Sequence, residues 1–351
     1  MRWMILVLLT LLAGANVQAA EPSWGRGTAV PKQSDFIPKL KSGEAYSERY
    51  TFNIPLDGGG DVYMDFTVSN LGWGDHKGVT TARVRLPGKK AYTYKAELDE
   101  DDWSFDRKVL KIRMGKSTLE ADGEGYRLRH DGDVRIDLKL ENTVPAWRPG
   151  SGKIKVGGET FELALMSPKA RVSGRIGMAG TWYPVSSANG MGDWSMSTIA
   201  PYDLANRFSR FKAYHDGMMV TWREIRTTED LGGKSVVWVL VVKDGEVLFE
   251  SAAAKLTASA EFTDKTSGYS VPRVFKIQGR DNGQTLSLTV RATRVTVRDL
   301  LADYGSVART IAGTLTNPYQ FNSEASFTLK LDGDESTTVT GSGPLGIDIL
   351  N

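Results

Sequence analysis

The residues with the clearest potential for chemistry lie near the middle of the chain, in the segments Tyr214–Asp216 and Trp222–Glu224. A histidine beside carboxylic acids can act as a general acid, for example by protonating the double bond of an isoprenoid to give a carbocation. Indole faces stabilise such a cation through their electron-rich π-system. If the protein is an enzyme (a hydratase, cyclase or isomerase), its candidate catalytic residues are therefore Asp216, Glu224 and His215.

The same segment also has a structural interpretation. Asp216-Gly217 is typical of a tight hairpin turn, with His215 forming a hydrogen bond at the rim of a barrel. Alternation along an extended strand places Tyr214 and Asp216 on one face and His215 on the other. The catalytic interpretation requires Asp216 and Glu224 to face one cavity, and the sequence leaves both interpretations open.

Aromatic residues surround this segment and suit a pocket for an apolar or amphipathic molecule. Three of the nine tryptophans fall between residues 173 and 225. Their rings can stack on other rings or pack on acyl chains, and the alternative is that they form the core of a domain interface. The predicted ligand-binding residues of this stretch are Trp182, Tyr183, Trp194, Tyr214, Trp222 and Arg223.

A smaller counterpart is Gly72-Trp73-Gly74-Asp75-His76. Glycines on both sides of a tryptophan permit close backbone approach and place the ring at the end of a strand, which suits a barrel mouth. Trp73 and His76 are therefore added to the predicted ligand-binding residues. The alternative is a turn that Trp73 anchors.

Other kinds of site find no support in the sequence. The three histidines, at 76, 130 and 215, lack metal-ligand spacing, and the acidic run 97–102 lacks the spacing of a calcium loop. We predict neither a metal nor a cofactor, and we expect His130, which precedes Asp131-Gly132, to be a solvated turn residue. The 44 basic and 42 acidic residues nearly balance, so nucleic acid is not an expected partner.

The first 20 residues predict a secretory signal peptide. Arg2 precedes an apolar run from Met4 to Leu12, and a small-x-small site follows, so we expect cleavage near Ala19 or Ala20. The chain has no cysteine, which excludes disulfides and a lipid anchor at the cleavage site. We expect a soluble monomer, periplasmic or secreted, without a transmembrane segment; transient contact with a membrane is compatible with this expectation.

Short alternating strands must position the candidate residues. In the first half, Asp61–Val68 alternates apolar and polar positions, and Asp122-Gly123 and Asp131-Gly132 separate neighbouring strands as hairpin dipeptides. About eight such strands predict an antiparallel up-and-down barrel, because closure removes the exposed edges of the sheet. A barrel of this size has room for one small ligand.

The strand pattern restarts after residue 172. Turns at 243–246 and 280–283 predict a second barrel, and Leu301–Ala312 is the one predicted helix. The sequence thus predicts an all-β protein of two consecutive antiparallel β-barrels, with one short helix late in the second. The expected divisions are a signal peptide (1–20), an N-terminal extension (21–43), a first barrel (44–172) and a second barrel (173–351).

Several motifs resemble a known family. Residues 180–184, Gly-Thr-Trp-Tyr-Pro, resemble the segment that opens the second domain of the fungal survival-factor family. Residues 242–246 resemble its central hairpin, and 299–319 resemble its late helix and the segment after it. The run 103–138 is similar as well, so the resemblance covers most of residues 44–351.

That family is similar in turn to carotenoid hydratases (hydroxyneurosporene synthases), tocopherol cyclases and fungal Diels–Alder cyclases. The resemblance implies two lipocalin-like (calycin) domains with a ligand site at or between the barrels. For the survival-factor branch it also implies ceramide or a related sphingolipid as cargo. This chain departs from that branch in its signal peptide.

The favoured hypothesis is a periplasmic carrier that shields a lipid or isoprenoid tail. Burial of an acyl chain is favourable by about 0.8 kcal/mol per methylene, so an aromatic-lined cleft needs no catalytic group. Arg223, Glu224 and Asp216 would then form a polar rim for the head group. The alternatives are the cofactor-independent enzyme described above and a structural protein with filled barrels.

Overall fold

The structure is a computed structural model of the 351-residue chain. It describes residues 21–27, 29–71, 74–302, 316–333 and 336–350. The predicted signal peptide, Trp73 and most of the predicted helix at 301–312 lie outside the described residues. Within the described ranges, no helix is long and apolar enough to cross a lipid bilayer.

The first half of the chain forms a nearly closed antiparallel barrel. Its described strands build a 12-stranded sheet in the order β4-β3-β2-β1-β12-β11-β9-β8-β7-β6-β5, and β10 pairs with β11. Short 3-10 helices precede β1 (Gln33–Phe36) and β5 (Glu100–Asp102). The strands are β1 (Ser47–Pro55), β2 (Asp61–Ser69), β3 (Lys77–Arg85), β4 (Tyr92–Leu98), β5 (Trp103–Phe105), β6 (Lys111–Met114), β7 (Ser117–Asp122), β8 (Gly125–Asp131), β9 (Val134–Asn142), β10 (Lys153–Val156), β11 (Glu159–Met178) and β12 (Thr181–Ser197).

The second half forms a second antiparallel barrel. Its described strands build a nine-stranded sheet in the order β16-β15-β14-β13-β23-β22-β21-β20-β17, and β18 pairs with β19 in a separate ribbon. Helix α1 (Pro201–Leu204) leads into it, and a 3-10 helix (Glu229–Leu231) follows β14. The strands are β13 (Ala205–His215), β14 (Met218–Thr227), β15 (Ser235–Lys243), β16 (Glu246–Ser251), β17 (Lys255–Ser259), β18 (Phe262–Thr263), β19 (Ser270–Val271), β20 (Val274–Asp281), β21 (Gln284–Asp299), β22 (Tyr319–Asp332) and β23 (Thr337–Ile349).

The strands pair in this way because their apolar residues alternate. In β1, Tyr50, Phe52 and Ile54 are fully buried in the first barrel, and the residues between them point outward. A slip of one residue would invert this pattern, so the burial of one face sets the register. The predicted turn at Asp244-Gly245 joins β15 to β16, with the positive φ values (50° and 91°) that such turns require. The predicted all-β fold of two consecutive barrels is confirmed.

The change from one sheet to the other comes between Ser197 and Ala205. The expected division between residues 172 and 173 falls inside β11, and both β11 and β12 pair within the first barrel. The segment 177–180, with its two glycines, is therefore the hairpin turn between β11 and β12 rather than a linker between the two barrels. Ala179 and Gly180 have φ values of 49° and 80° there.

The two barrels pack against each other through their outer faces. Strand β15 is apolar at nearly every position because both of its faces are buried. Its residues 237, 239 and 241 belong to the core of the second barrel, and the alternate ones pack toward the first barrel. The buried members of this apolar inter-barrel cluster are Trp24, Val144, Ile154, Leu163, Leu165, Met191, Ile199, Leu204, Ala205, Met219, Ile225, Val236, Trp238, Leu240 and Val242.

His130 lies inside the first barrel, so the expectation that it is solvated is wrong. Strand β8 continues to Asp131, and alternation places His130 on the same inward face as Leu128. Only 2% of His130 is exposed. Its Nδ1 lies 3.0 Å from Ser117 Oγ and its Nε2 lies 3.0 Å from Tyr92 Oη. Burial lowers the pKa of His130 to about 4, and the charge of Lys116 acts in the same direction.

Candidate functional site

Asp216 and His215 lie in the turn between β13 and β14. Asp216 has a φ of 45°, its side chain is 88% exposed, and His215 Nε2 lies 3.2 Å from its Oδ2. Glu224 lies about 20 Å further along β14, at about 3.3 Å per residue. The structure therefore places Asp216 in the hairpin turn and does not bring it to one cavity with Glu224.

Glu224 is buried in the second barrel and bound to a guanidinium. Arg207 donates from Nε to Oε2 at 3.1 Å and from Nη2 to Oε1 at 2.9 Å. The hydroxyls of Ser209 and Ser235 also donate to this carboxylate. The Arg207 guanidinium thus holds the Glu224 carboxylate through two parallel hydrogen bonds. This arrangement indicates a structural role for Glu224 rather than a role in proton transfer. Trp222 is fully buried in the same barrel and packs on Phe275, with 5.3 Å between the ring centroids.

Trp182 and Tyr183 lie at the rim of the first barrel. Trp182 is 41% exposed, and the guanidinium of Arg175 lies 4.3 Å from its ring centroid. Tyr183 lines a groove of about 220 Å³ together with Leu56, Gly58, Gly59, Leu86, Pro87, Lys89, Pro184, Val185 and Ser186. This groove combines an apolar wall with a cationic side chain, which suits an amphipathic molecule.

His76 has a structural environment at the opposite end of the first barrel. Its Nδ1 lies 3.1 Å from Glu100 Oε1, and its carbonyl accepts a hydrogen bond from the Trp103 indole at 2.8 Å. The ring meets Tyr46 edge-on at 5.9 Å. His76 therefore connects two loops at this end, and its predicted neighbour Trp73 lies outside the described residues.

Trp194 leads to a buried acid that the sequence analysis missed. Its indole N–H donates to Glu48 Oε1 at 2.8 Å, inside the first barrel. The other oxygen of Glu48 accepts from the Lys39 N–H at 2.8 Å and from the Tyr46 hydroxyl at 2.7 Å. Glu48 is fully buried, and every one of these donors is neutral. Alternation along β1 was the available sequence signal, because Glu48 shares the inward face of that strand with Tyr50 and Phe52.

The hydrogen bonds of Tyr50 indicate that Glu48 is protonated. The Tyr50 hydroxyl oxygen lies 2.8 Å from the Phe36 carbonyl oxygen and 2.9 Å from Glu48 Oε1. A carbonyl oxygen can only accept, so the single phenolic hydrogen goes to Phe36, and the second contact needs a hydrogen on Glu48. Burial also raises the pKa of Glu48, against the opposing effect of its hydrogen-bond donors. Glu48 is therefore a neutral carboxylic acid among aromatic rings.

A polar cleft brings side chains of both barrels together beside the apolar inter-barrel cluster. Arg223, on β14, donates to Asp193 on β12 at 2.8 Å. Next to Asp193 on the outer face of the first barrel, Arg49 Nε donates to Asp65 at 2.5 Å. The indole of Trp238 lies 5.8 Å from the Arg223 guanidinium. Of the predicted ligand-binding residues, Arg223 lies in this cleft, and Tyr214 lies on the same face of the sheet, four residues along β13 from the register partner of Arg223, packed against the apolar inter-barrel cluster. Trp182, Tyr183, Trp194 and Trp222 lie elsewhere.

Lys212 is a second residue of this polar cleft that the sequence analysis missed. It precedes Tyr214 by two residues, so alternation places both on the outer face of β13. Burial lowers the pKa of Lys212 to about 8, since it outweighs the opposing negative charge of Asp193. Burial alone raises the pKa of Tyr214 above its usual range. The sequence signal for Lys212 was its position two residues before Tyr214, which puts both side chains on one face of the strand. Without that signal, a lysine in a strand is expected to be solvated.

Comparison with known proteins places this arrangement in a family. The sequence model of the Svf1 family matches residues 89–345. The chain is 24% identical over 304 residues to the ceramide-binding protein svf1 of Aspergillus fumigatus, covering 78% of this chain and 74% of that protein. It is also 24% identical over 269 residues to the ceramide-binding protein svf1 of Emericella nidulans, covering 71% and 69%.

Solved structures show the shared fold. The structure of kievitone hydratase from Nectria haematococca aligns with a TM-score of 0.56 at 13% identity, over 94% of this chain and 97% of that chain. CghA with Sch210972 aligns with a TM-score of 0.61 at 11% identity, over 93% and 94%. Because the family match spans most of the sequence and both barrels, the chain belongs to the Svf1 family.

Proposed function

We propose that this protein binds an amphipathic lipid, of the sphingolipid or isoprenoid class, at or between its barrels and carries it in the periplasm. Membership of the Svf1 family and the ceramide-binding names of two relatives support the ligand class. The N-terminal sequence supports the compartment. Side chains fill the interiors of both barrels, so the rim groove and the polar cleft are the places where a ligand meets the protein.

The observation that carries the proposal is the rim groove. Its wall is formed by Leu56, Leu86 and Val185 together with the ring of Tyr183, and the Lys89 ammonium lies 5.7 Å from the centroid of that ring. An aromatic ring in an apolar groove that also carries a cationic side chain suits a molecule with an apolar chain and a polar head.

The direct test is to identify the ligand. Protein purified from its own host without detergent is analysed by native mass spectrometry, and the bound material is extracted with solvent. We expect a lipid bound to the chain, and about a tenfold loss of it in Tyr183→Ala, equivalent to about 1.4 kcal/mol. Val297→Ala, at an exposed apolar residue of the second barrel, is the matched control. Protein that carries no lipid, or equal loss in both variants, would contradict the proposal.

A second candidate function is a hydratase or cyclase acting on the same class of molecule with Glu48 as its acid, and it requires the packed core of the first barrel to open for the substrate. A neutral carboxylic acid among aromatic rings has the proton that attack on a double bond requires. By contrast, Glu224 is paired with arginine and Asp216 is exposed in a turn. Purified protein is incubated with the extracted lipid, and products are followed by mass spectrometry. An enzyme loses turnover but keeps binding in Glu48→Gln, whereas a carrier keeps its cargo unchanged and forms no product.

A further inference from the structure

Hydrogen-bond donors without an acceptor collect where the barrels face each other. Among the described residues, five buried side-chain polar atoms lack a partner, and each of them is an N–H or O–H group. The Tyr214 hydroxyl and the Trp24 and Trp238 indoles belong to the inter-barrel region. Arg83 Nε lies on the outer face of the first barrel, and the fifth atom, the Trp222 indole nitrogen, lies in the core of the second barrel. Buried polar groups are nearly always paired, so a surplus made of donors alone indicates an acceptor from outside the chain.

Lys212 adds a positive charge to these donors. Among the described residues, its ammonium forms neither a hydrogen bond nor an ion pair. The charges of Asp61 and Asp193 act on it from the first barrel, and those of Arg210 and Arg223 act on it from the second. On the outer face of β13, Lys212 lies two residues from Tyr214 and two residues from Arg210, whose register partner on β14 is Arg223. Lys212 therefore lies at the polar cleft, near carboxylates that it does not bind.

Those carboxylates are already paired with arginines. Asp61 lies within ion-pair distance of both Arg83 and Arg85. The remaining three ion pairs, each between one arginine and one aspartate, are Arg49 with Asp65, Arg223 with Asp193, and Arg210 with Asp348. Lys212 and one arginine at Asp61 are thus left as surplus positive charge, which favours a bound anion.

We propose that the polar cleft binds the anionic head, a phosphate or carboxylate, of the amphipathic ligand, with Lys212, Tyr214 and Arg223 as donors. The inference rests on the proposed lipid binding and names the class of its head group. Phosphate and carboxylate oxygens are acceptors only and satisfy charged donors with strong hydrogen bonds. A ceramide is uncharged and would leave Lys212 without a counter-charge, so the expected ligand is an acidic lipid.

A pair of lipids that differ only in head charge tests this inference. Binding of a short-chain ceramide and of its phosphate ester is measured by titration calorimetry, and inorganic phosphate is measured alone. We expect the phosphate ester to bind at least tenfold more tightly than the neutral lipid. Lys212→Met should abolish that preference, Lys212→Arg should keep most of it, and Tyr214→Phe should weaken it about threefold. Lys243→Met, at an exposed lysine of β15, should leave it unchanged.

The outcomes separate this inference from lipid binding itself. Equal affinity for the two lipids, or an unchanged preference in Lys212→Met, overturns the anionic site while leaving the proposed function standing. Binding of inorganic phosphate that Lys212→Met abolishes, with no extra affinity for the ester, supports the site and assigns it to a free anion. If neither lipid nor phosphate binds, both proposals are overturned.

Discussion

Glu48 in the first barrel and Glu224 in the second are both almost completely buried, and they differ in the charge of their partners. Glu48 in the first barrel meets only neutral partners: a backbone N–H, two phenols and an indole. Glu224 in the second barrel meets the guanidinium of Arg207 on both of its oxygens. The residue type is the same, so the difference shows that the neighbours decide whether a buried carboxyl keeps its proton.

The first barrel also buries a basic side chain, His130, among neutral partners. His130 is buried between hydroxyl groups, and burial lowers its pKa to about 4. The interior of the first barrel thus holds a neutral acid and a neutral imidazole, whereas Glu224 in the second is neutralised by an ion pair. We therefore expect the two barrels to respond differently to loss of charge and to pH.

Replacing each of these glutamates by glutamine gives the largest expected contrast. Glu224→Gln leaves Arg207 buried without its counter-charge, and we expect a loss of about 3–5 kcal/mol in the free energy of unfolding. Glu48→Gln replaces a neutral acid by a neutral amide and loses only the hydrogen bond from Trp194, about 1 kcal/mol. Urea unfolding at neutral pH, followed by circular dichroism, measures both. Equal costs would contradict the assignment of a protonated Glu48.

Acid should destabilise the protein through His130. Its folded pKa of about 4 lies below the ordinary value of 6.5, so the unfolded chain takes up the proton first as pH falls. The stability that depends on neutral His130 is present above pH 6.5 and lost toward pH 4, by up to about 3 kcal/mol. His130→Gln should flatten this part of the stability curve. His215→Gln, at the exposed histidine of the β13–β14 turn, is the control, and a parallel loss in His130→Gln would refute the explanation.

Local pattern predicted the fold but not the buried polar groups. Alternation and hairpin dipeptides are local, and they were sufficient for two antiparallel barrels and for the turn at Asp216-Gly217. The burial of Glu48 depends on Lys39 and Trp194, the second of which is 146 residues away along the chain. Alternation places Glu48 on the inward face of β1, but no pattern around residue 48 identifies the distant partners that bind its carboxyl there.

The residues of the predicted ligand site lie in two different barrels for a related reason. Trp182, Trp194 and Trp222 are close in sequence, but β12 belongs to the first barrel and β14 to the second. Strand alternation then places Trp194 and Trp222 in different cores, whereas Arg223 and Tyr214 lie on the face of the second barrel that is turned toward the first. Proximity in sequence therefore predicts a common pocket only where the strands share a sheet and the side chains share a face.

Lys212 in the polar cleft is a third kind of charged group, partly buried and, within the described parts of the chain, without a partner of opposite charge. Its substitution gives the smallest effect that we predict. Lys212 keeps its proton at neutral pH but has no partner of opposite charge among the described residues. Its ammonium therefore opposes folding when no anion is bound. We expect Lys212→Met to raise Tm by roughly 2–4 °C at neutral pH, the shift for about 1 kcal/mol in a domain of this size.

The pH dependence of stability gives a second measurement on the same residue. The folded pKa of Lys212, about 8, lies below the ordinary 10.5, so wild-type stability should rise between these pH values as the folded chain releases its proton first. Lys212→Met should lack that rise and Lys243→Met should retain it, as thermal scans from pH 7 to 10 would show. A lower Tm in Lys212→Met would mean that Lys212 has a partner within the fold.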